Sequence, residues 1–171
     1  MDNISLVTYA GQTVTPLDDA LVYETAINQS GMIYGGSVTI KSANNLHISS
    51  GQGIVCGRKF TIFDSDIQVA LSSSGTLLGR LYVQLDLSNV GTPIQLLVET
   101  GASLTPVQQD NNVNIMNGVF EFNIATFTVD TSTISNVIMV APSAEPSTGA
   151  GSVITVTTTE ASLAGKMCTI T

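Results

Sequence analysis

The stretch Gly51-Gln-Gly-Ile-Val-Cys-Gly-Arg-Lys-Phe-Thr-Ile-Phe63 decides how the chain is read. Two glycines turn the backbone, and an apolar, β-branched run follows, broken by Gly57 and by the Arg58-Lys59 pair. At the two-residue period of a pleated strand, Cys56, Arg58, Phe60 and Ile62 share one face, and Val55, Gly57, Lys59, Thr61 and Phe63 share the other. The pattern predicts a single strand over 54–63 with a bulge or close backbone approach at Gly57. Arg58, beside Phe60, is expected to be partly buried and paired with an acid. Nothing in the stretch is catalytic.

Composition points the same way. A chain of 171 residues is long enough for one domain with a real core. Thr, Ser, Val, Ile, Asn and Gly are abundant and Trp is absent, which favours pleated, half-buried surfaces and an all-β fold. Five basic and thirteen acidic residues give a net charge of -8, and the acids are dispersed. Phosphate binding needs clustered Lys and Arg, so neither nucleic acid nor an anionic membrane surface is an expected partner. No apolar run approaches the roughly 18–20 residues of a membrane span, so membrane insertion is not expected. Met1-Asp-Asn-Ile-Ser5 lacks the basic start and apolar core of a signal peptide, which predicts synthesis in a cytoplasm without export. Cys56 and Cys168 lie far apart in sequence and read as free structural thiols.

Upstream of the opening stretch, residues 4–14 read as a short strand and turn. Thr15 is a good helix N-cap, Pro16 suits the first helical position, and Asp18 and Asp19 suit the positive end of the dipole. Leu17, Ala20, Leu21, Glu24 and Ile27 fall near a helical repeat, so one short helix is expected there. Strands are predicted over 32–40, 46–50, 54–63 and 67–71, separated by turns at Ser42-Ala-Asn-Asn45, Ser50-Gly-Gln-Gly53 and Asp64-Ser-Asp66.

The clearest alternation is Gly79-Arg-Leu-Tyr-Val-Gln-Leu-Asp-Leu87. Leu81, Val83, Leu85 and Leu87 are assigned to the core, and Arg80, Tyr82, Gln84 and Asp86 to a wet face. Residues 94–99 should pair with it. Asn117-Gly118 predicts a hairpin between 113–116 and 119–129. Phe120, Phe122 and Ile124 lie out of phase with Phe127 and Val129, which calls for a bulge near Ala125 or Thr126. Residues 134–140 close the block.

The expected fold is therefore all-β, a mostly antiparallel β-sandwich-like domain with one short N-terminal helix. Residues 1–30 form the N-terminal strand and helix, suited to attachment or oligomer contact, and 31–140 form the sandwich-like domain. Residues 141–151, rich in Pro, Gly, Ser and Ala, read as a linker, and 152–171 as a strand-forming tail too short to bury a core of its own.

Chemistry is sparse. His47 is the single histidine, in an alternating stretch without a second ligand at metal spacing, and reads as a solvent-facing strand residue. Asp64 and Asp66 lack the rest of a calcium loop and read as turn residues. No nucleophile elbow, phosphate loop or dinucleotide fingerprint occurs, and Gly35-Gly36 is a turn. Arg58 and Lys59 point to opposite faces, which argues against a basic binding patch. A glycosidase would need two carboxylates about 5–9.5 Å apart, and the dispersed acids nominate no pair. No catalytic, cofactor-binding or metal residue is nominated, no cofactor is expected, and the chain reads as a binding or assembly protein and not an enzyme.

Three ordered blocks carry a resemblance. They are Val14-Thr-Pro-Leu-Asp-Asp-Ala-Leu-Val-Tyr23 running on to Gly31-Met-Ile-Tyr-Gly-Gly-Ser-Val-Thr39; Leu46-His-Ile-Ser-Ser-Gly-Gln-Gly-Ile-Val-Cys-Gly-Arg-Lys-Phe-Thr-Ile62; and Gly79-Arg-Leu-Tyr-Val-Gln-Leu-Asp-Leu-Ser88, followed by Ile94-Gln-Leu-Leu-Val98 and Val119-Phe-Glu-Phe-Asn-Ile-Ala-Thr-Phe127. Their order over residues 12–140 resembles the N-terminal region of baseplate and tail-fibre (receptor-binding) proteins of tailed phages and prophages, chiefly of Gram-positive hosts. The resemblance implies a structural virion protein of the tail or baseplate that anchors or forms the host-attachment apparatus. It further implies assembly in the host cytoplasm, a homo-oligomer (a trimer foremost) and other tail or baseplate proteins as partners. Host-surface glycans would be met through distal modules. The 152–171 tail resembles the opening of the Ig-like modules appended to such fibres. Capsid decoration or head-fibre protein, and carbohydrate-binding β-sandwich, are the alternative readings.

Overall fold

The computed structural model describes residues 13–27, 29–110, 112–116 and 118–144. The expected N-terminal strand, most of the 141–151 linker, the strand-forming tail and Cys168 lie outside the described residues.

Helix α1, Pro16–Ala26, starts where local chemistry places it. The Asp18 N–H donates to Thr15 Oγ1 at 3.3 Å and the Thr15 N–H donates to the Asp18 carboxylate at 2.9 Å, a reciprocal cap with Pro16 at the first position. The expected apolar stripe does not form a buried face. Ala20 alone is buried, while Leu17, Leu21, Val22 and Tyr23 are exposed. The helix rests on the rest of the fold through a narrow contact.

Among the described residues ten strands follow: β1 (Gly31–Gly35), β2 (Val38–Ser42), β3 (Asn45–Ile48), β4 (Gly51–Val55), β5 (Arg58–Ile62), β6 (Ser65–Gln68), β7 (Leu77–Asp86), β8 (Ile94–Gly101), β9 (Val119–Val129) and β10 (Ile134–Met139). A single helical turn, α2 (Val113–Met116), precedes β9. The strands form a four-stranded sheet, β10-β9-β7-β8, and two three-stranded sheets, β1-β4-β5 and β2-β3-β6. All their pairings are antiparallel. Leu81, Val83, Phe122 and Ile124 of the larger sheet share one continuous core with Leu46, Ile48, Phe60 and Ile62 of the smaller ones. Phe60 and Phe122 meet across the layers with ring centroids 6.1 Å apart, within the range of favourable aromatic pairs. The fold is all-β, mostly antiparallel and sandwich-like, with one short N-terminal helix, as the composition and alternation predict.

The opening stretch corrects the sequence reading. It is a hairpin, not one strand: β4 and β5 pair from Gly51↔Ile62 to Val55↔Arg58 around Cys56-Gly57. Both turn residues have positive φ (46° and 71°), the mirror-image turn that matches strand twist. Cysteine is no usual occupant of that position, and tertiary bonds hold it there. The Cys56 N–H donates to Ser30 Oγ at 3.0 Å, and its carbonyl accepts from Asn114 Nδ2 at 2.7 Å. The expected close approach at Gly57 is real, but the neighbour is α1: a Cβ on Gly57 would collide with the Ala20 carbonyl.

Other boundaries shift for similar reasons. The predicted strand 32–40 is two strands, β1 and β2, separated by Gly36 and Ser37. Gly51–Gly53 sits in β4 and not in a turn, because Gly53 lies opposite Phe60, whose ring occupies the space a Cβ would take. Gly79 and Phe127 repeat this arrangement between β7 and β9. The β7–β9 register slips between Leu81↔Ala125 and Tyr82↔Asn123, leaving Ile124 over. Ile124 and Ala125 are both buried, so the bulge called for by the phase change falls one residue earlier than expected. The Asn117-Gly118 hairpin does not form: 113–116 is the helical turn α2, and Asp110 takes the strand's place by accepting from the Val119 N–H at 2.9 Å. At the far end, the linker stretch begins beside β1, with the Met32 N–H donating to the Pro142 carbonyl and the Ala144 N–H to the Met32 carbonyl.

The wet face assigned to β7 is also corrected. Residues 102–110 fold back across it as a strap, and Arg80 is only 2% exposed. The inner face stands as expected, with Leu81, Val83 and Leu85 all buried.

Two substitutions test this architecture. Val83→Asp places an unpaired carboxylate in the core and should abolish cooperative folding, read as loss of the thermal transition by circular dichroism. Gly57→Ala combines a left-handed backbone with the Ala20 clash and should cost at least about 2 kcal/mol, roughly 4–8 °C in Tm.

Candidate functional site

A recess lies where α1, the β4–β5 turn, the end of the 102–110 strap and the start of β9 converge. It has a volume of about 320 Å³ and is lined by Glu24, Ser30, Cys56, Gln109, Phe120 and Phe122, among others. Its wall is fixed by Asn114, 8% exposed. The Asn114 Nδ2 donates to the Cys56 carbonyl at 2.7 Å and to Glu24 at 3.2 Å, and its Oδ1 accepts from Arg58 Nε at 2.7 Å. Arg58 is half-buried as expected, but its partner is this amide and not an acid directly.

Burial and the nearby Glu24 carboxylate push the Cys56 thiol up to about 11, against weaker opposing effects of Ser30 and Arg58. The thiol is therefore protonated near neutrality and a poor nucleophile. The recess presents a carboxylate, a hydroxyl and an amide beside two phenylalanines. None of these residues was nominated from sequence, because they come from four separated segments and share no spacing.

His47 lies elsewhere, on β3, and has closer company than a plain surface residue. The β3–β6 register sets it opposite Asp66, with Nδ1 and Oδ1 3.0 Å apart, and Nε2 lies 3.5 Å from Asp64. Lys41 on β2 pairs with the same Asp66. Hydrogen bonds from Lys41 and then His47 hold the Asp66 carboxyl below its usual range. All four side chains are at least one-third exposed, so this is a solvated charge cluster. Among the described residues no group of three or more His, Cys, Asp or Glu is arranged to hold a metal ion.

A third polar group lies beneath the strap. Arg80 Nε donates to Glu99 at 2.6 Å and Nη2 to Glu121 at 3.4 Å, while the guanidinium carbon sits 4.1 Å from the centre of the Tyr82 ring. Gln84 Nε2 donates to Glu121 at 2.8 Å. The same carboxylates fasten the strap: the Thr105 N–H and hydroxyl donate to Glu99, and the Gln108 N–H to Glu121. Arg80 Nη1 and Asn123 Oδ1 have no protein partner among the described residues.

With the geometry in view, the fold defines the chain as an all-β sandwich-type protein. No known family model matches it, and no curated protein matches it significantly. Among the described residues no helix is long and apolar enough to cross a membrane.

The strap gives a pH prediction. The Thr105 hydroxyl, then the Thr105 N–H, hold the Glu99 carboxyl below its usual value against the opposing effect of burial, with Arg80 adding to the lowering. A carboxyl with a depressed folded value stabilises the fold above its unfolded value of about 4.3, and that contribution is lost as pH falls through the folded value. Glu99→Gln should flatten the dependence of stability on pH below about 4, measured by urea unfolding across that range.

Proposed function

We propose that the chain is a structural protein of a phage particle, a tail, baseplate or tail-fibre component that anchors or forms the host-attachment apparatus. The observation behind this reading is the ordered set of three sequence blocks. The first runs from the Thr15 cap through α1 into β1 and β2, the second covers β3, β4 and β5, and the third supplies β7, β8 and β9. The helix with Leu17, Leu21, Val22 and Tyr23 in solvent supports an attachment role, since an isolated eleven-residue helix is marginal in water and gains stability from a surface to lie on. Such a component works as a homo-oligomer, with a trimer the form the resemblance implies, beside other tail or baseplate proteins.

Exposed aromatics favour a second reading, a carbohydrate-binding module. Tyr34 is 57% and Phe63 78% exposed. Both belong to the region of the β1-β4-β5 sheet, where Tyr34 lies opposite Gln52, itself opposite Thr61. Aromatic faces flanked by amide and hydroxyl groups suit stacking on sugar rings.

Immunogold electron microscopy with antibody raised against residues 1–140, applied to particles from the source, tests the proposal. Gold at the tail tip is the expected result. Gold on the head would make the chain a decoration or head-fibre protein. An unlabelled particle, with Phe63→Ala abolishing binding on a glycan array, would leave the carbohydrate-binding module.

A further inference from the structure

Sheet edges present rows of N–H and C=O groups that recruit other strands unless they are blunted. Most edges among the described residues are. The β1 edge is covered by 142–144. The β2 edge carries Lys41 and a register shift, β5 is five residues long with Lys59 in it, and β6 is four residues long with Asp66. The β10 edge is broken between Ser135 and Ile138, with Asn136 at φ 53°.

Among the described residues, strand β8 has none of these guards. It runs for eight residues, Ile94-Gln-Leu-Leu-Val-Glu-Thr-Gly101, without Lys, Arg, Pro or a register shift. Its one charge, Glu99, is occupied by Arg80 and Thr105.

The hydrogen-bonding phase of this edge follows from one bond. The Asp86 N–H donates to the Pro93 carbonyl, and antiparallel pairs alternate between bonded and non-bonded. Gln95, Leu97 and Glu99 therefore bond to β7, and the N–H and C=O groups of Ile94, Leu96, Val98 and Thr100 point away from it. No other strand pairs with that side among the described residues. The flank beside it is apolar, a recess of about 230 Å³ lined by Phe60, Phe63, Ile94 and Leu96, among others.

We infer that the β8 edge is a docking surface for a second copy of this chain, joined antiparallel about a two-fold axis at Leu97. In that register Ile94 meets Thr100 of the other copy and Leu96 meets Val98, so every outward donor and acceptor is matched, about eight backbone hydrogen bonds in all. The side chains are self-complementary as well. Leu97 faces Leu97 across the axis, and Gln95 faces Glu99, so no like charges come together. Sliding the register by two residues in either direction leaves part of the edge unpaired, and in one direction brings Pro93 opposite Glu99. The contact joins two four-stranded sheets into one continuous sheet. It makes pairs, and it leaves the exposed side of α1 free for any three-fold contact. The inference does not depend on where the protein sits in a particle: a chain without this contact would still be placed by gold labelling.

The test uses the full chain. Leu97→Cys, in a Cys168→Ser background, should form a disulfide-linked dimer under mild oxidation, because the Leu97 pair is a non-bonded pair with Cα atoms about 4.5 Å apart. Ile138→Cys, exposed on β10, should not. Native mass spectrometry at micromolar concentration should show an even-numbered assembly, halved in mass by Leu97→Lys. Thr100→Pro removes one outward N–H without touching a bond to β7 and should halve it too, which covers a folding failure of the first variant. A monomeric wild-type chain, or an assembly indifferent to both variants and uncrosslinked at position 97, would overturn the inference. So would hydrogen-exchange protection of the Leu96 and Val98 amides in a monomer that disappears when 152–171 are removed, since that would give the edge to a segment of the same chain.

Discussion

The side-chain amide of Asn114 is the joint on which the lower half of the molecule depends. Its three short bonds tie a helical turn, a hairpin turn, an arginine and α1 into one unit. Burying an amide is costly unless each polar atom is answered, and here both are. Without it, the buried Cys56 carbonyl would be left unsatisfied, at about 1–3 kcal/mol, and the half-buried Arg58 would lose its partner. The left-handed backbone at Cys56 persists because Asn114 on one side and Ser30 on the other leave the turn little alternative. The position of α1 follows from that turn, since Gly57 is where the helix backbone lands.

The sandwich above this joint is organised by two glycine–phenylalanine pairs. Gly53 under Phe60 and Gly79 under Phe127 let a ring lie flat against the neighbouring strand. Cross-strand packing of an aromatic onto a glycine recovers apolar burial at a position that otherwise has no side chain to contribute. Phe60 then reaches Phe122, so one seat also connects the two layers.

Much of this was legible where the physics is local. The α1 cap is written within four residues, the β7 alternation fixes an inner face, and the phase change in β9 announces its bulge. What sequence could not show is decided by distant partners. Cys56-Gly57 does not look like a hairpin turn, because Ser30 and Asn114 supply what Asn or Asp would normally bring. Asn117-Gly118 does look like one, yet Asp110 captures the strand end. Arg80 reads as a wet-face residue until the strap returns over it. The recess could not be assembled on paper, since Glu24, Cys56 and Gln109 meet only after three elements dock, and the aspartates beside His47 arrive through the β3–β6 register.

The bonds between Met32 and the 142–144 segment have a mechanical consequence. That segment runs parallel to β1, so Gly31 and Ala144 lie at opposite ends of one short seam. Tension between those two ends acts along the strands, and the seam's hydrogen bonds must shear together instead of opening one at a time. The seam between β1 and 142–144 is thus also a place where a pulling force along the strands would be borne.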